Sequence, residues 1–387
     1  MQLPFRIKKE DELLIHLSHT PIETKKQTKI QKIIQKGVDW DYLLKRASYH
    51  GLRPMLYYTL KNYPNSVPFD VLNFLKDFLV KNSYKNLSFT GEVLRIIKLL
   101  DEADVTTIPY KGPVLAIQGY DNLSLREFGD LDLFIEKRDF YKVKRILINE
   151  NFEAVLNLSP SKEKKYLKSQ REYKFKNRHN GIILEIQWNV VGFSFSFPNE
   201  TSYPIDKINL QSVFMNNRSI KTFSNEDLIL ILSIHVAGHM WSRLSWLYDL
   251  ASLIKKFEDL NWGVMIKKAE KLGVQRILFS NLYILQILFN LRYPKIVNKG
   301  IKKDFYIQEL SKNILYLIFT PEKLNIMDKF ILRFKIRESK IQGFKDNLKI
   351  LIIPQSDEWA LFERDLPNSL FILIRPLQII NRLFEGL

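Results

Sequence analysis

The 387-residue sequence contains no cysteine. That absence excludes a disulfide framework, a zinc–thiolate site and an iron–sulfur cluster, and it suits a reducing compartment. Long apolar runs are missing as well. Crossing a bilayer takes about 20 consecutive apolar residues; the nearest approach, Leu366 to Phe384, is broken by Pro367, Arg375, Pro376 and Arg382. The opening MQLPFRIKKEDELL lacks the apolar run and small-residue cleavage site of a secretory signal. A soluble, cytoplasmic protein without a transmembrane segment is the expectation. Acidic residues are the third shortage: 42 Asp/Glu stand against 59 Lys/Arg, a net charge of +17. The excess is concentrated in residues 137–178, with 13 Lys/Arg and 5 Asp/Glu. Such a segment either attracts phosphates, nucleic acid or an anionic membrane surface, or is simply a solvated face. No RNA- or DNA-binding motif accompanies it.

What is present reads as an α+β chain in three parts. Residues 1–104 carry helical patterns: Trp40 to Ala47 leads to Gly51, and a long amphipathic stretch runs from about Asp70 to Leu100 after Pro64 and Pro68. Residues 105–222 alternate short apolar runs with helical stretches. Strands are expected at Val105–Pro109, Leu131–Ile135, Phe152–Val155, Tyr173–Arg178 and Ile182–Trp188, with a helix at Asp139–Asn149. Lys162–Lys168 reads as a polar loop or short helix, and Asn180-Gly181 as a hairpin turn beside an exposed His179. From 223 to 387 the helical period returns, opening on Ser224 as an N-cap with an acidic residue three positions on. A mixed α/β core flanked by N- and C-terminal helical domains is the resulting expectation.

The chemistry-bearing residues cluster between 110 and 188. In a strand, residues two apart point to the same face, so Asp130 and Asp132 converge while Leu131 and Leu133 face the other way. Two adjacent carboxylates raise each other's pKa unless a cation neutralises them, and magnesium suits that role; a turn ending in solvated aspartates is the alternative. Upstream, a strand, the turn Lys111-Gly112-Pro113 and a helix N-terminus form a natural phosphate cradle. Downstream, Glu185 lies in an otherwise apolar strand and needs a metal or a cationic partner, a nearby arginine among the possibilities. His235 and His239 sit four apart on one helical face, a metal-ligand spacing. Asp249 is either a third ligand there or a partner of Arg243. Packed or cleft-lining histidines are the other reading.

Together these segments resemble the polymerase-beta-like nucleotidyltransferase superfamily, and more narrowly the family of uncharacterised nucleotidyltransferases. In that family a Lys-Gly turn replaces the usual Gly-Ser, an arginine precedes the Asp-x-Asp, and a Glu/Asp–apolar–His–Trp element follows. The corresponding residues are Lys111-Gly112, Arg126, Asp130-Leu131-Asp132 and Glu185-Ile186-Gln187-Trp188, Gln187 being the departure. The 17 residues between Gly112 and Asp130 exceed the superfamily's usual gap. His235 to Trp241, Arg243 to Leu250, Trp40 to Pro54 and Arg375-Pro376 extend the likeness. The resemblance implies an enzyme that moves a nucleoside monophosphate from an NTP, ATP among the donors, to an acceptor hydroxyl, releasing pyrophosphate. It further implies Asp130, Asp132 and Glu185 as the catalytic ligands of Mg2+ (or Mn2+). Lys111, Gly112 and Arg126 would hold the phosphates, and His235, His239, Arg243 and Asp249 would line the acceptor cleft. The acceptor is a peptide, a small molecule or RNA, with a tailoring role loosely implied. A non-catalytic nucleotide-binding regulatory protein, and a toxin acting on tRNA or protein, are the alternatives.

Overall fold

The computed structural model describes residues 5–18, 24–189, 195, 208–320, 326–353 and 359. The proline-broken tail 366–387, with Arg375-Pro376, lies outside the described residues. Five helices come first: α1 (Lys9–Ile15), α2 (Thr24–Gln35), α3 (Trp40–His50), α4 (Arg53–Leu60) and α5 (Phe69–Glu102). The Asp39 side chain caps α3 by accepting from the Tyr42 N–H, and Gly51, at φ 66°, ends it in the left-handed conformation. Pro68 precedes the 34 residues of α5.

Next come β1 (Thr107–Pro109), α6 (Gly112–Tyr120), β2 (Asp130–Ile135), α7 (Phe140–Asn149), β3 (Phe152–Ala154), α8 (Pro160–Ser169), β4 (Glu172–Asn177) and β5 (Ile183–Gln187). The strands form one mixed sheet in the order β1-β2-β5-β4-β3. β2 and β5 run parallel, with Asp132 opposite Glu185; the other pairs are antiparallel. The period-2 reading located these strands within one or two residues, and 162–168 is part of a helix. A hairpin, β6 (Leu210–Met215) and β7 (Arg218–Phe223), follows the sheet. Then come α9 (Asn225–Gly238), α10 (Leu244–Lys256), α11 (Trp262–Lys271), α12 (Gln275–Phe289), α13 (Lys295–Lys303), α14 (Phe305–Phe319), α15 (Ile326–Lys335) and α16 (Lys340–Ile352). Ser224 caps α9 through the Asp227 N–H, as its position before an acidic turn predicts.

The buried apolar residues form two clusters. Leu131, Leu133 and Ile135 of β2, with Leu184 and Ile186 of β5, pack on the C-terminal half of α5 and on α7. The alternate residues of the same strands turn to the opposite face. There Phe134 of β2, with Ile108 of β1 and the following Tyr110, joins a larger cluster shared by α1–α4 and α9–α14. The N-terminal and C-terminal helices therefore share one core, and α5 contributes to both clusters, Val71 and Leu75 to one and Phe89 to Leu100 to the other. Among the described residues no helix is long and apolar enough to cross a membrane.

Candidate active site

The polar face of the sheet is set by strand alternation and register. Asp130 and Asp132 share a face of β2, and pairing places Glu185 beside Asp132 and Lys174 beside Glu185. Gln187, two residues beyond Glu185, lies on the same face. The structure thus brings the three expected carboxylates to one patch.

Asp132 and Glu185 are buried, and each has direct partners. Asp132 Oδ1 accepts from Lys111 Nζ at 2.9 Å and from Gln187 Nε2 at 2.8 Å. Glu185 Oε1 accepts from Lys174 Nζ, and Oε2 from Gln187 Nε2 at 3.1 Å. The cation expected beside Glu185 is therefore a lysine on the adjacent strand. Gln187 is fully buried; its Oε1 accepts from the Tyr110 hydroxyl at 2.5 Å, leaving the amide nitrogen to bridge both carboxylates. Arg171, paired with Glu172 at 3.1 Å, lies within electrostatic reach of Asp132 and Glu185.

Electrostatics separates the three acids. Burial, then the charges of Asp132 and Glu185, pushes Asp130 up to about 6. Burial works the same way on Glu185, but Lys174 and Lys111 overcome it and hold its pKa below the ordinary range. For Lys111, burial favours the neutral form, yet Asp132 and Tyr110 outweigh it and keep the ammonium charged.

Lys111 is the residue before α6, and Gly112 opens that helix at φ 51°, a left-handed conformation. A Cβ there would meet the Asp130 carbonyl oxygen at 3.5 Å, so the turn lies directly against the start of β2. Arg126 is placed elsewhere than on the open face. It is buried and grips Asp249, with Nε at 3.1 and 3.2 Å from the two carboxylate oxygens and Nη2 at 3.1 Å from one. The Tyr120 hydroxyl donates to the same carboxylate at 2.8 Å. Asp249 is thus the partner of Arg126 rather than of Arg243.

The other three cleft candidates do come together. The rings of His235 and His239 lie 4.5 Å apart, with Trp246 at 5.2 and 5.0 Å. The Arg243 guanidinium stands 5.7 Å from the Trp246 ring centre. Burial, and then the charges of Lys111 and Arg171 among others, lowers both histidines, His239 to about 4. His239 is exposed and His235 half-buried. Neutral histidines and an indole therefore face the charged strands.

Hard carboxylate oxygens gathered on one face, one of them with a pKa raised by burial and by its acidic neighbours, are a donor set that suits Mg2+. In the present arrangement, among the described residues, no three acidic or histidine side chains are grouped as for a metal ion. Two of the three carboxylates hold lysines instead. Lys174, Arg171, Tyr110 and Trp246 belong to this face and were not singled out by the sequence motif. The alternation Glu172-Tyr173-Lys174 opposite Glu185 was the available signal for Lys174.

Comparison with solved structures gives weak overall similarity. The lincosamide antibiotic adenylyltransferase LnuA, lincomycin-bound, is 16% identical, with 43% of this chain and 97% of that one covered at a TM-score of 0.32. The antibiotic-resistance factor ANT(2'')-Ia is 12% identical over 51% of this chain and 94% of its own, with a TM-score of 0.32. An antigenic nucleotidyltransferase-like protein from Paracoccidioides brasiliensis is 14% identical over 59% and 93%, with a TM-score of 0.34. No curated protein matches the sequence. The family described as "Uncharacterised nucleotidyltransferase" matches residues 36–290, which span the sheet, the Lys111-Gly112 turn and the His235–Trp246 wall. With two thirds of its length in that match, the chain belongs to the uncharacterised nucleotidyltransferase family.

Proposed function

We propose that this nucleotidyltransferase moves a nucleoside monophosphate from an NTP to an acceptor hydroxyl, using Mg2+ held by Asp130, Asp132 and Glu185. The observation that carries the reading is the gathering of those three carboxylates on one sheet face, beside the Lys111-Gly112 turn at the start of α6. When bound, Mg2+ supplies charge neutralisation at the triphosphate and activates the acceptor hydroxyl. The backbone N–H groups opening α6 and the Lys111 ammonium bind the phosphates, and Gly112 lets the backbone approach them. Glu185 accepts the proton of the attacking hydroxyl; the oxygen–phosphorus bond forms as pyrophosphate departs. The wall of His235, His239 and Trp246 borders the acceptor side, where uncharged rings suit a small organic or peptide acceptor better than an RNA backbone. Arg126 and Asp249 tie the loop before β2 to α10 and so position Asp130.

The test is a thermal-shift titration of Mg2+ with each of ATP, GTP, CTP and UTP. One triphosphate should stabilise the wild type, by about 2.7 kcal/mol at a hundredfold excess over Kd. The effect should vanish in an Asp130→Asn/Asp132→Asn double variant. If none of the four nucleotides stabilises the wild type, the reading fails.

A further inference from the structure

Asp132 and Glu185 stand opposite one another, and both are already neutralised by ammonium groups. The side chains of Lys111 and Asp132 are 10% and 3% exposed, so neither charge can be left alone without a heavy desolvation cost. A bare divalent cation that took both carboxylates would strand Lys111 in the interior and leave Lys174 with only Glu172, at 3.6 Å. A cation arriving with a triphosphate brings partners for both sides: the carboxylates pass to the cation and the ammonium groups to phosphate oxygens. Lys174 is placed for such an exchange. Its side chain is 36% exposed, at the open edge of the site, and Arg171 lies three residues away with its charge felt at Asp132 and Glu185. Gln187 gives the exchange a fixed frame. It is uncharged, anchored by Tyr110, and bonded to one oxygen of each carboxylate, so both acids keep their places while the lysines change partner.

We propose that Lys174 is a phosphate ligand and that, with Lys111, it closes the carboxylate pair to free divalent cations, admitting the metal as its triphosphate complex. Gln187 is the positioning residue of this exchange. The inference rests on the nucleotidyl-transfer reading above.

The experiment is calorimetric titration of the full chain with MgCl2, with sodium tripolyphosphate, and with both; tripolyphosphate makes the result independent of the base. In the wild type, Mg2+ with tripolyphosphate should bind at least about tenfold more tightly than either alone. Lys174→Gln keeps a hydrogen-bond donor for Glu185 but removes the charge, and should weaken Mg2+–tripolyphosphate by about tenfold. The same variant should bind Mg2+ alone more tightly than the wild type does. Lys174→Arg should restore the triphosphate affinity, and thermal melts verify that both variants are folded. Unchanged Mg2+–tripolyphosphate affinity in Lys174→Gln overturns the proposal, as does wild-type protein that binds Mg2+ equally well with and without tripolyphosphate. Both of those outcomes leave the nucleotidyl-transfer reading intact. Failure of the wild type to bind Mg2+ with tripolyphosphate or with any NTP overturns both.

Discussion

Asp130 is the carboxylate of the trio for which no hydrogen bond or ion pair is seen among the described residues, and its raised pKa has a consequence for stability. A folded-state value of about 6 lies above the ordinary 3.8, so the folded protein binds this proton more tightly than the unfolded chain does. The sign follows: ionising Asp130 destabilises the fold, with no cost below about pH 4 and the full cost above about pH 6. Two pKa units correspond to about 3 kcal/mol, and partial exposure reduces this to about 1–2 kcal/mol. Asp130→Asn should therefore be more stable than the wild type by about that amount at pH 8 and equal to it at pH 4, as measured by urea unfolding at both pH values. Equal stability at pH 8 would mean that the site tolerates the third charge without strain. The same residues show how far a motif reads. Strand periodicity placed Asp130 and Asp132 on one face, because that geometry is local, whereas Glu185 joins them through the pairing of β2 with β5. Gln187 could be read only as a departure from the family pattern, since Tyr110, just after β1, and Asp132, on β2, reach it only in the folded chain. Arg126 was expected on the phosphates; spacing along the chain carries no information about which way an extended residue turns.

At the scale of elements, the long connection between α6 and β2 is held rather than loose. The Asn82 side chain of α5 donates to the Ser124 and Arg126 carbonyls at 2.9 and 3.1 Å. Asn86 donates to Leu123 and Arg126 at 2.5 and 2.9 Å, and Lys85 to Phe128. One face of α5 thus satisfies four carbonyls that have no sheet partner, immediately before the strand that carries Asp130. Asn86 is fully buried. Asn86→Leu would leave the Leu123 carbonyl unbonded, at about 1–3 kcal/mol, and the Arg126 carbonyl with Asn82 alone. The expected loss is about 1–3 kcal/mol in chemical denaturation, together with weaker Mg2+–nucleotide binding. A loss under about 0.5 kcal/mol would show that water replaces the amide at no cost. The period-2 runs of β1–β5 were legible because each strand has one apolar face. The β6–β7 hairpin was not anticipated: its pattern of burial is weak, and its signal is the turn Asn216-Asn217, at φ 52° and 61°, which suits a tight hairpin. The parallel pairing of β2 with β5 is a long-range choice that no local pattern encodes.

For the whole molecule, part of the positive charge of residues 137–178 is matched by carboxylates on and beside the sheet. Lys144 pairs with Glu163, Arg171 with Glu172, Lys174 with Glu185, and Arg178 with Glu153. The segment is thus as much a framework for the sheet as a surface for phosphates. A second global property comes from histidines kept neutral by the fold. Burial foremost lowers His16 to about 4 and His50 to about 3, each from 6.5, with lysine or arginine charges adding to the effect. A depressed histidine is neutral in the folded chain while the unfolded chain gains a proton, so stability is full above pH 6.5 and falls as the pH drops below it. Each group contributes about 1.4 kcal/mol per pH unit, so these two remove about 4 kcal/mol at pH 5, and His235, lowered in the same way, adds to the loss. The opposing gain at Asp130 returns about 1 kcal/mol there. The loss has a structural address. His50, at the end of α3, accepts through Nδ1 from the Leu244 N–H at 3.3 Å, at the start of the helix that carries Trp246 and Asp249. A protonated ring donates at both nitrogens and cannot accept, so the folded chain keeps this ring neutral and the proton is taken up only when the joint between the N-terminal helices and the wall of the site comes apart. Urea unfolding should show stability lower by at least about 3 kcal/mol at pH 5 than at pH 7, and His50→Gln, which keeps an acceptor without titrating, should remove about 2 kcal/mol of that drop. A drop of the same size in His50→Gln would move the acid sensitivity away from this joint.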